Sequence, residues 1–188
     1  MAAGETGVIL KIQATMERSE LAREIYRVSN ISGQFLLRSG KYSDEYFDKY
    51  LFESNPRILN EIAEHLSQLV PNDIDALAGL EMGGIPVATA LSLITKKPCL
   101  FVRKKAKEYG TCKLAEGGEV ESKRIVIIED VITSGGAVLT AVKALRTLGA
   151  KIEKVLCVID REDTGKENLN QAGLQLVSLY TKSELSVG

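Results

Sequence analysis

The chain has 188 residues, of which 45% are hydrophobic and 26% charged, so it is long enough for one folded domain with a substantial core. The formal net charge of −1 gives no electrostatic case for nucleic acid or an anionic membrane, and no run reaches the roughly 20 apolar residues of a membrane span. Three widely spaced cysteines, Cys99, Cys112 and Cys157, match neither a disulfide framework nor a zinc site, and they predict a soluble protein of the reducing cytoplasm.

The N-terminal part combines two predicted helices with a hairpin. Apolar residues recur at near-helical spacing from about Ile12 to Val28, which predicts an amphipathic helix. Two aromatic-containing runs within residues 33–48 flank a Ser-Gly-Lys turn and predict a hairpin. A second helix is predicted from Pro56, a favoured first residue, to Val70.

Beyond Pro71 the pattern changes to strands that alternate with helices, which is typical of parallel βα units. Strands are predicted at residues 75–79, 98–102, 124–128, 152–159 and 174–180. One helix is predicted after Gly83-Gly84, and another is predicted to end at Gly149. Residues 103–122 show no apolar period and form a long connection of the kind that often serves as a lid. The sequence therefore predicts an α/β fold with a mostly parallel central sheet.

Polar clusters stand where four of these strands end. In open parallel sheets ligands bind at the carboxyl ends of the strands, so the clusters are expected to face one crevice. They are Glu81-Met82-Gly83-Gly84, Arg103-Lys104-Lys105, Glu129-Asp130 and Asp160-Arg161.

The most informative cluster follows the strand Arg124–Ile128, which carries four consecutive β-branched residues. Glu129 and Asp130 come next, and the small, glycine-rich run Thr133–Ala137 leads into a helix. Carboxylates accept hydrogen bonds from hydroxyls, and the free N–H groups of a helix start bind phosphate. The motif is neither a Walker A loop nor a GxGxxG fingerprint, and its chemistry suits a phosphorylated sugar.

This segment resembles the phosphoribosyl-pyrophosphate (PRPP) binding motif of the type I phosphoribosyltransferases. The resemblance implies the fold of that family, with a small N-terminal hood of about residues 1–70 beside an α/β core of about residues 71–180 in a single domain. It also implies that the acidic pair contacts the ribose hydroxyls and that the loop holds the 5′-phosphate. The PRPP residues of this segment would be Glu129, Asp130, Val131, Ile132, Thr133, Ser134, Gly135, Gly136 and Ala137.

Three further segments resemble the orotate phosphoribosyltransferases. They are the hairpin around Phe35–Gly40 and Tyr46-Phe47, the basic run Arg103–Gly110, which is similar to a mobile catalytic loop, and Asp160-Arg161-Glu162. The resemblance implies transfer of the phosphoribosyl group from PRPP to orotate, a step of pyrimidine nucleotide synthesis. It implies an orotate site formed by Thr133, Arg161, Tyr46 and Phe47. In this site Arg161 would bind the orotate carboxylate, because a guanidinium fork suits a planar carboxylate.

The same resemblance assigns cations to the phosphates. Arg38, Arg103, Lys104 and Lys107 would bind PRPP, and Lys107 with Glu129 and Asp130 would serve catalysis. It implies Mg²⁺ as cofactor, bound mainly through PRPP and water rather than directly by the protein, since no oxygen-ligand cage is visible. It implies a homodimer in which Arg103 and Lys107 reach the neighbouring subunit's site.

Two positions depart from the family pattern. Tyr109 stands where many members carry histidine, and Gly83 stands where several carry lysine. Two alternative functions share the PRPP loop. One is transfer to a purine or another nucleobase, which does not need Arg161 and the hairpin aromatics. The other is a non-catalytic regulator that senses PRPP or a nucleotide, which the net charge and the basic loop disfavour.

Overall fold

The computed structural model describes residues 15–37, 40–110 and 113–186. Within them the strands are β1 (Asn30–Leu36), β2 (Tyr42–Phe47), β3 (Ala76–Leu80), β4 (Cys99–Val102), β5 (Ala115–Glu116), β6 (Arg124–Ile132), β7 (Lys151–Asp160) and β8 (Gln175–Thr181). The helices are α1 (Arg18–Ser29), α2 (Lys49–Glu53), α3 (Pro56–Ser67), α4 (Gly84–Thr95), α5 (Gly136–Thr147), α6 (Gly165–Gln171) and α7 (Lys182–Ser186). No helix in these ranges is long and apolar enough to cross a membrane.

The central sheet has the strand order β5-β4-β3-β6-β7-β8 over the described part of the chain. Five neighbouring strands of this sheet run parallel to one another, in the order β4, β3, β6, β7 and β8. The two-residue strand β5 pairs antiparallel with β4 at one edge. β6 lies inside the sheet, and its residues 125–130 are all buried, as expected for a β-branched run. The predicted α/β fold with a mostly parallel sheet is confirmed.

Helices cover both faces of this sheet, because successive residues of a strand point to opposite faces. Val126 and Ile128 belong to a core cluster that includes residues of α1, α3 and α4. Ile125 and Ile127 belong to a second cluster with residues of α5 and α6. β6 is therefore packed from both sides, which holds its carboxyl end in a fixed position.

The hairpin of β1 and β2 forms a separate antiparallel sheet, with Asn30 opposite Phe47 and Leu36 opposite Tyr42. The chain then enters α2 through Asp48, whose side chain accepts a hydrogen bond from the Tyr50 N–H at 3.0 Å. Phe52 anchors this single helical turn because its side chain is completely buried. The division into a hood and a core stays a prediction.

The structure corrects several element boundaries. α1 begins at Arg18 rather than near Ile12, because residues 15–17 are not helical; residues 12–14 lie outside the described ranges. β6 continues to Ile132 instead of ending at Ile128, since its last residues still pair with β7. The connection 103–122 contains the short strand β5. The helices α2, α6 and α7 were not predicted, because one or two turns are too short to show an apolar period.

Candidate active site

The acidic pair and the glycine-rich loop lie together at the carboxyl end of β6. Glu129 and Asp130 are only 9% and 0% exposed. Gly135 adopts a left-handed conformation, with φ of 74°, that turns the chain into α5 at Gly136. The first N–H groups of α5 therefore point into the loop, as a phosphate site requires.

A crevice of about 330 Å³ lies over this loop. It brings together most of the residues predicted to bind PRPP, and Asp130 lies buried beside it. The lining residues are Lys49, Tyr50, Glu81, Met82, Lys104, Glu129, Val131, Ile132, Thr133, Ser134, Gly135, Gly136, Ala137 and Val138. Lys49 and Tyr50, which the sequence did not single out, come from α2.

Asp130 is the most closely held side chain of the site. Its Oδ1 accepts a hydrogen bond from the Val131 N–H at 2.6 Å, and its Oδ2 lies 2.5 Å from Nζ of Lys49. Glu129 accepts a hydrogen bond from the Asp130 N–H at 3.2 Å. Glu53 of α2 is only 6% exposed, and its Oε1 and Oδ2 of Asp130 converge on the space above Gly83.

These surroundings shift the pKa values of the three carboxyl groups in different directions. Burial, followed by the hydrogen bond and the charge of Asp130, raises the pKa of Glu53 to about 9. Burial and the same neighbour raise the pKa of Glu129 well above its usual value. Burial alone would raise the pKa of Asp130, but hydrogen bonds with Glu129, Glu53 and Lys49 outweigh it and lower that pKa to about 2. At neutral pH the charges of Asp130 and Lys49 therefore balance, and Glu53 keeps its proton.

Gly83 is positioned against the same carboxyl groups. A Cβ at this residue would overlap the Asp130 carboxylate and would lie 2.8 Å from Oε1 of Glu53. A Cβ at Gly84 would likewise overlap the carbonyl oxygen of Ile128. The lysine that several family members carry at position 83 has no room in this arrangement, because two carboxyl groups occupy the space.

A second, smaller pocket of about 180 Å³ contains Arg161 and Phe47, two of the residues predicted to bind the base. The other two predicted residues lie elsewhere. Thr133 lines the larger crevice, and Tyr46, which is 46% exposed, packs against Phe35 with ring centroids 5.4 Å apart. The remaining lining residues are Tyr26, Asn30, Glu45, Val131, Ile159, Lys182 and Leu185, and Val131 also lines the larger crevice.

Two cations of the predicted catalytic loop are bound within the chain itself. Oε1 of Glu116 lies 2.7 Å from Nζ of Lys107 and 3.6 Å from Nε of Arg103. Neither cation lines the crevice over the phosphate loop, whereas Lys104 does. Tyr109 is 76% exposed, and the predicted Arg38 lies outside the described residues. A larger cavity of about 730 Å³ behind this loop contains neither the acidic pair nor the phosphate loop.

Comparisons with known proteins agree with this geometry. A model of the phosphoribosyl transferase domain matches residues 52–173. The orotate phosphoribosyltransferase of a Nocardioides species is 52% identical over 165 residues, which cover 88% of this chain and 92% of that relative.

Solved structures show the same likeness. Orotate phosphoribosyltransferase of Mycobacterium tuberculosis H37Rv gives a TM-score of 0.79 at 33% identity, covering 89% of this chain and 98% of that one. Its complex with PRPP gives a TM-score of 0.75 at 30% identity, covering 90% and 98%. The chain therefore belongs to the orotate phosphoribosyltransferases, within the phosphoribosyltransferase family.

Proposed function

We propose that the protein transfers the 5-phosphoribosyl group of PRPP to orotate, giving orotidine 5′-monophosphate and pyrophosphate in pyrimidine nucleotide synthesis. The observation that carries this proposal is a pair of adjoining pockets that share Val131. One combines Glu129, with Asp130 buried beside it, and a helix start suited to phosphate, and the other contains Arg161. An anionic ring and a phosphorylated ribose would fit side by side.

The donor side of the reaction needs hydroxyl acceptors and phosphate donors. Glu129 and Asp130 contact the ribose hydroxyls, and Thr133–Ala137 with the start of α5 bind the 5′-phosphate. Breaking the anomeric bond builds positive charge on the ribose and negative charge on pyrophosphate, so the protein acts mainly by positioning and electrostatics. Lys104 already lines the crevice, which supports a phosphate-binding role for it.

The acceptor side needs a cation and an apolar face. Arg161 offers a guanidinium fork to the orotate carboxylate, and Phe47 offers a ring edge or face in the same pocket. Lys182 and Asn30 line that pocket too and add polar groups for the ring.

Mg²⁺ is the cofactor we propose, and it would neutralise pyrophosphate when bound. The acidic pair offers the oxygen atoms that Mg²⁺ prefers, but Lys49 already occupies Oδ2 of Asp130. The described residues contain no group of three or more metal-ligating side chains placed to hold an ion. These residues fit an ion carried largely by PRPP oxygens and water.

A homodimer completes the proposed enzyme, with Arg103 and Lys107 reaching the pyrophosphate in the neighbouring subunit's site. Both cations sit on the connection after β4 rather than in the crevice of their own chain. Release from Glu116 would free them for this role. The cytoplasmic location, which rests on the cysteine pattern, stays a prediction.

Turnover of orotate tests the function directly. The protein is mixed with PRPP and Mg²⁺, and the loss of orotate absorbance is followed, with uracil, adenine and hypoxanthine as parallel acceptors. We expect consumption of orotate alone. Faster use of a purine base would favour the purine alternative, and PRPP binding without turnover of any base would favour the regulator.

A further inference from the structure

The one-turn helix α2 places Lys49 and Glu53 beside the predicted ribose site. Residues four apart lie on the same side of a helix, so both side chains of this turn reach in one direction. Between them in sequence, Phe52 is completely buried and fixes the turn against the core. Asp48 caps its start. The positions of Lys49 and Glu53 are therefore set by packing.

Both side chains meet Asp130. Nζ of Lys49 lies 2.5 Å from Oδ2 of Asp130, and the buried carboxyl group of Glu53 lies beside the same carboxylate. Oε1 of Glu53 and Oδ2 of Asp130 converge above Gly83, where a Cβ would contact both. The Val131 N–H occupies the other oxygen of Asp130.

Contacts at both oxygens fix the orientation of the Asp130 carboxylate. Lys49 holds Oδ2 and the Val131 N–H holds Oδ1, so the group cannot rotate freely. A carboxylate that is already oriented loses less entropy when the ribose binds.

The charge of the cluster also suits the proposed donor. Three buried carboxyl groups that were all ionised would repel the phosphates of PRPP and one another. Lys49 balances Asp130, Glu53 retains its proton at neutral pH, and burial favours the neutral form of Glu129. A polyanion can then approach the acidic pair without facing an excess of negative charge.

We propose that Lys49 and Glu53 are positioning residues for ribose binding, which hold Asp130 ionised, oriented and electrically balanced. Lys49 donates from its ammonium group, and Glu53 donates its carboxyl proton, to the Asp130 carboxylate. This role deepens the proposed PRPP chemistry of the same site and rests on it.

Binding of PRPP with Mg²⁺ in titration calorimetry is the first measurement, with orotate turnover beside it. For Lys49→Ala we expect PRPP affinity to fall about 10- to 100-fold, the usual effect of losing a hydrogen bond to a buried charge, with the orotate KM nearly unchanged. Lys49→Arg restores much of the affinity because it keeps the charge. Lys151→Ala, an exposed lysine at the amino end of β7, is the matched control and should bind like wild type.

The pH dependence of PRPP affinity distinguishes positioning from mere structural support. The groups that face Glu53 are Lys49 and Asp48 from its own segment and Asp130 from β6, with Glu129 beside Asp130. Raising the pH through about 9 removes the Glu53 proton and sets a second negative charge against Asp130. Wild-type affinity should therefore decline there.

Glu53→Gln carries a permanent N–H donor, so it should bind PRPP within about threefold of wild type at pH 7 and lose that alkaline decline. An identical decline in the variant and the wild type would overturn the role of Glu53. Wild-type affinity in a folded Lys49→Ala would overturn the role of Lys49. If Lys49→Ala does not fold, the PRPP affinity of Lys49→Arg and the pH profile of Glu53→Gln test the positioning role. A wild type that neither binds PRPP nor consumes orotate would instead refute the proposed function.

Discussion

Neutralising Glu116 tests how the proposed catalytic loop is held before the reaction. Oε1 of Glu116 contacts Lys107 at 2.7 Å and Arg103 at 3.6 Å. In the proposed reaction both cations bind pyrophosphate, so they must first leave this carboxylate. Glu116→Gln keeps the shape of the side chain but removes the charge that retains them.

The size of the effect follows from the exposure of the pair. The Glu116 and Lys107 side chains are 26% and 27% exposed, so solvent screens their attraction in part. Such a pair contributes about 0.5 to 1 kcal/mol. Losing it shifts the loop toward its released form by about two- to fivefold, and the apparent Kd for PRPP should fall by the same factor.

Titration calorimetry with PRPP and Mg²⁺ at low and high salt measures this gain, which should shrink as salt screens the pair. Glu119→Gln is the matched control, because Glu119 pairs with Lys113 at 2.9 Å on the same connection but is 80% exposed and touches neither cation. Weaker PRPP binding by Glu116→Gln, or an equal gain in Glu119→Gln, would refute the reasoning.

Three further variants address separate steps. Lys107→Ala should lower kcat about 100-fold, the usual loss for one donor to developing negative charge, with a much smaller change in PRPP Kd; single-turnover kinetics and calorimetry separate the two. Arg161→Ala should raise the orotate KM about 10- to 100-fold and leave PRPP affinity intact, measured in the absorbance assay. Glu53→Gln should flatten the pH dependence of stability. Folding raises the pKa of Glu53 from 4.5 to about 9, so its stabilising contribution is complete below pH 4.5 and is lost as the pH rises to about 9. The wild-type melting temperature should therefore fall more than that of Glu53→Gln between pH 6 and pH 9.

Each of these expectations has an opposing result. An unchanged kcat in Lys107→Ala would remove that residue from pyrophosphate departure, and the distant Lys151→Ala shows the background effect of losing a lysine. Equal loss of orotate and PRPP affinity in Arg161→Ala would argue against a base-reading role. A wild type whose melting temperature does not respond to pH across this window would contradict a protonated Glu53.

The fold class and the glycine-rich turn into α5 could be predicted because both depend on short-range patterns. The β-branched run before Glu129 indicates a strand buried on both faces, and the glycine-rich run after it indicates a turn into a helix. Arg161 could be placed near the acidic pair because polar residues that end parallel strands meet at one edge of the sheet. Tyr46 was harder to place, since alternation along a hairpin strand does not say which ring faces the pocket.

Lys49 and Glu53 could not be found in this way. Their helix is a single turn, too short to show an apolar period, and their partner Asp130 lies in a distant part of the sequence. The signal available was the run Leu51-Phe52 between charged residues, which indicates a segment that docks on the core. Glu116 was missed for a related reason, because a two-residue strand has no pattern of its own.

The amino-acid sequence by itself determined the βα alternation, the acidic pair, the glycine-rich loop and the basic connection, because each is encoded in neighbouring residues. Only the tertiary structure decided which charges stand against one another. Packing of α2 on the core brings an ammonium group and a carboxyl group to Asp130, and pairing of β5 with β4 sets Glu116 against Lys107 and Arg103. Electrostatic interactions depend on distance in space and on burial, and neither quantity is contained in the order of residues along the chain.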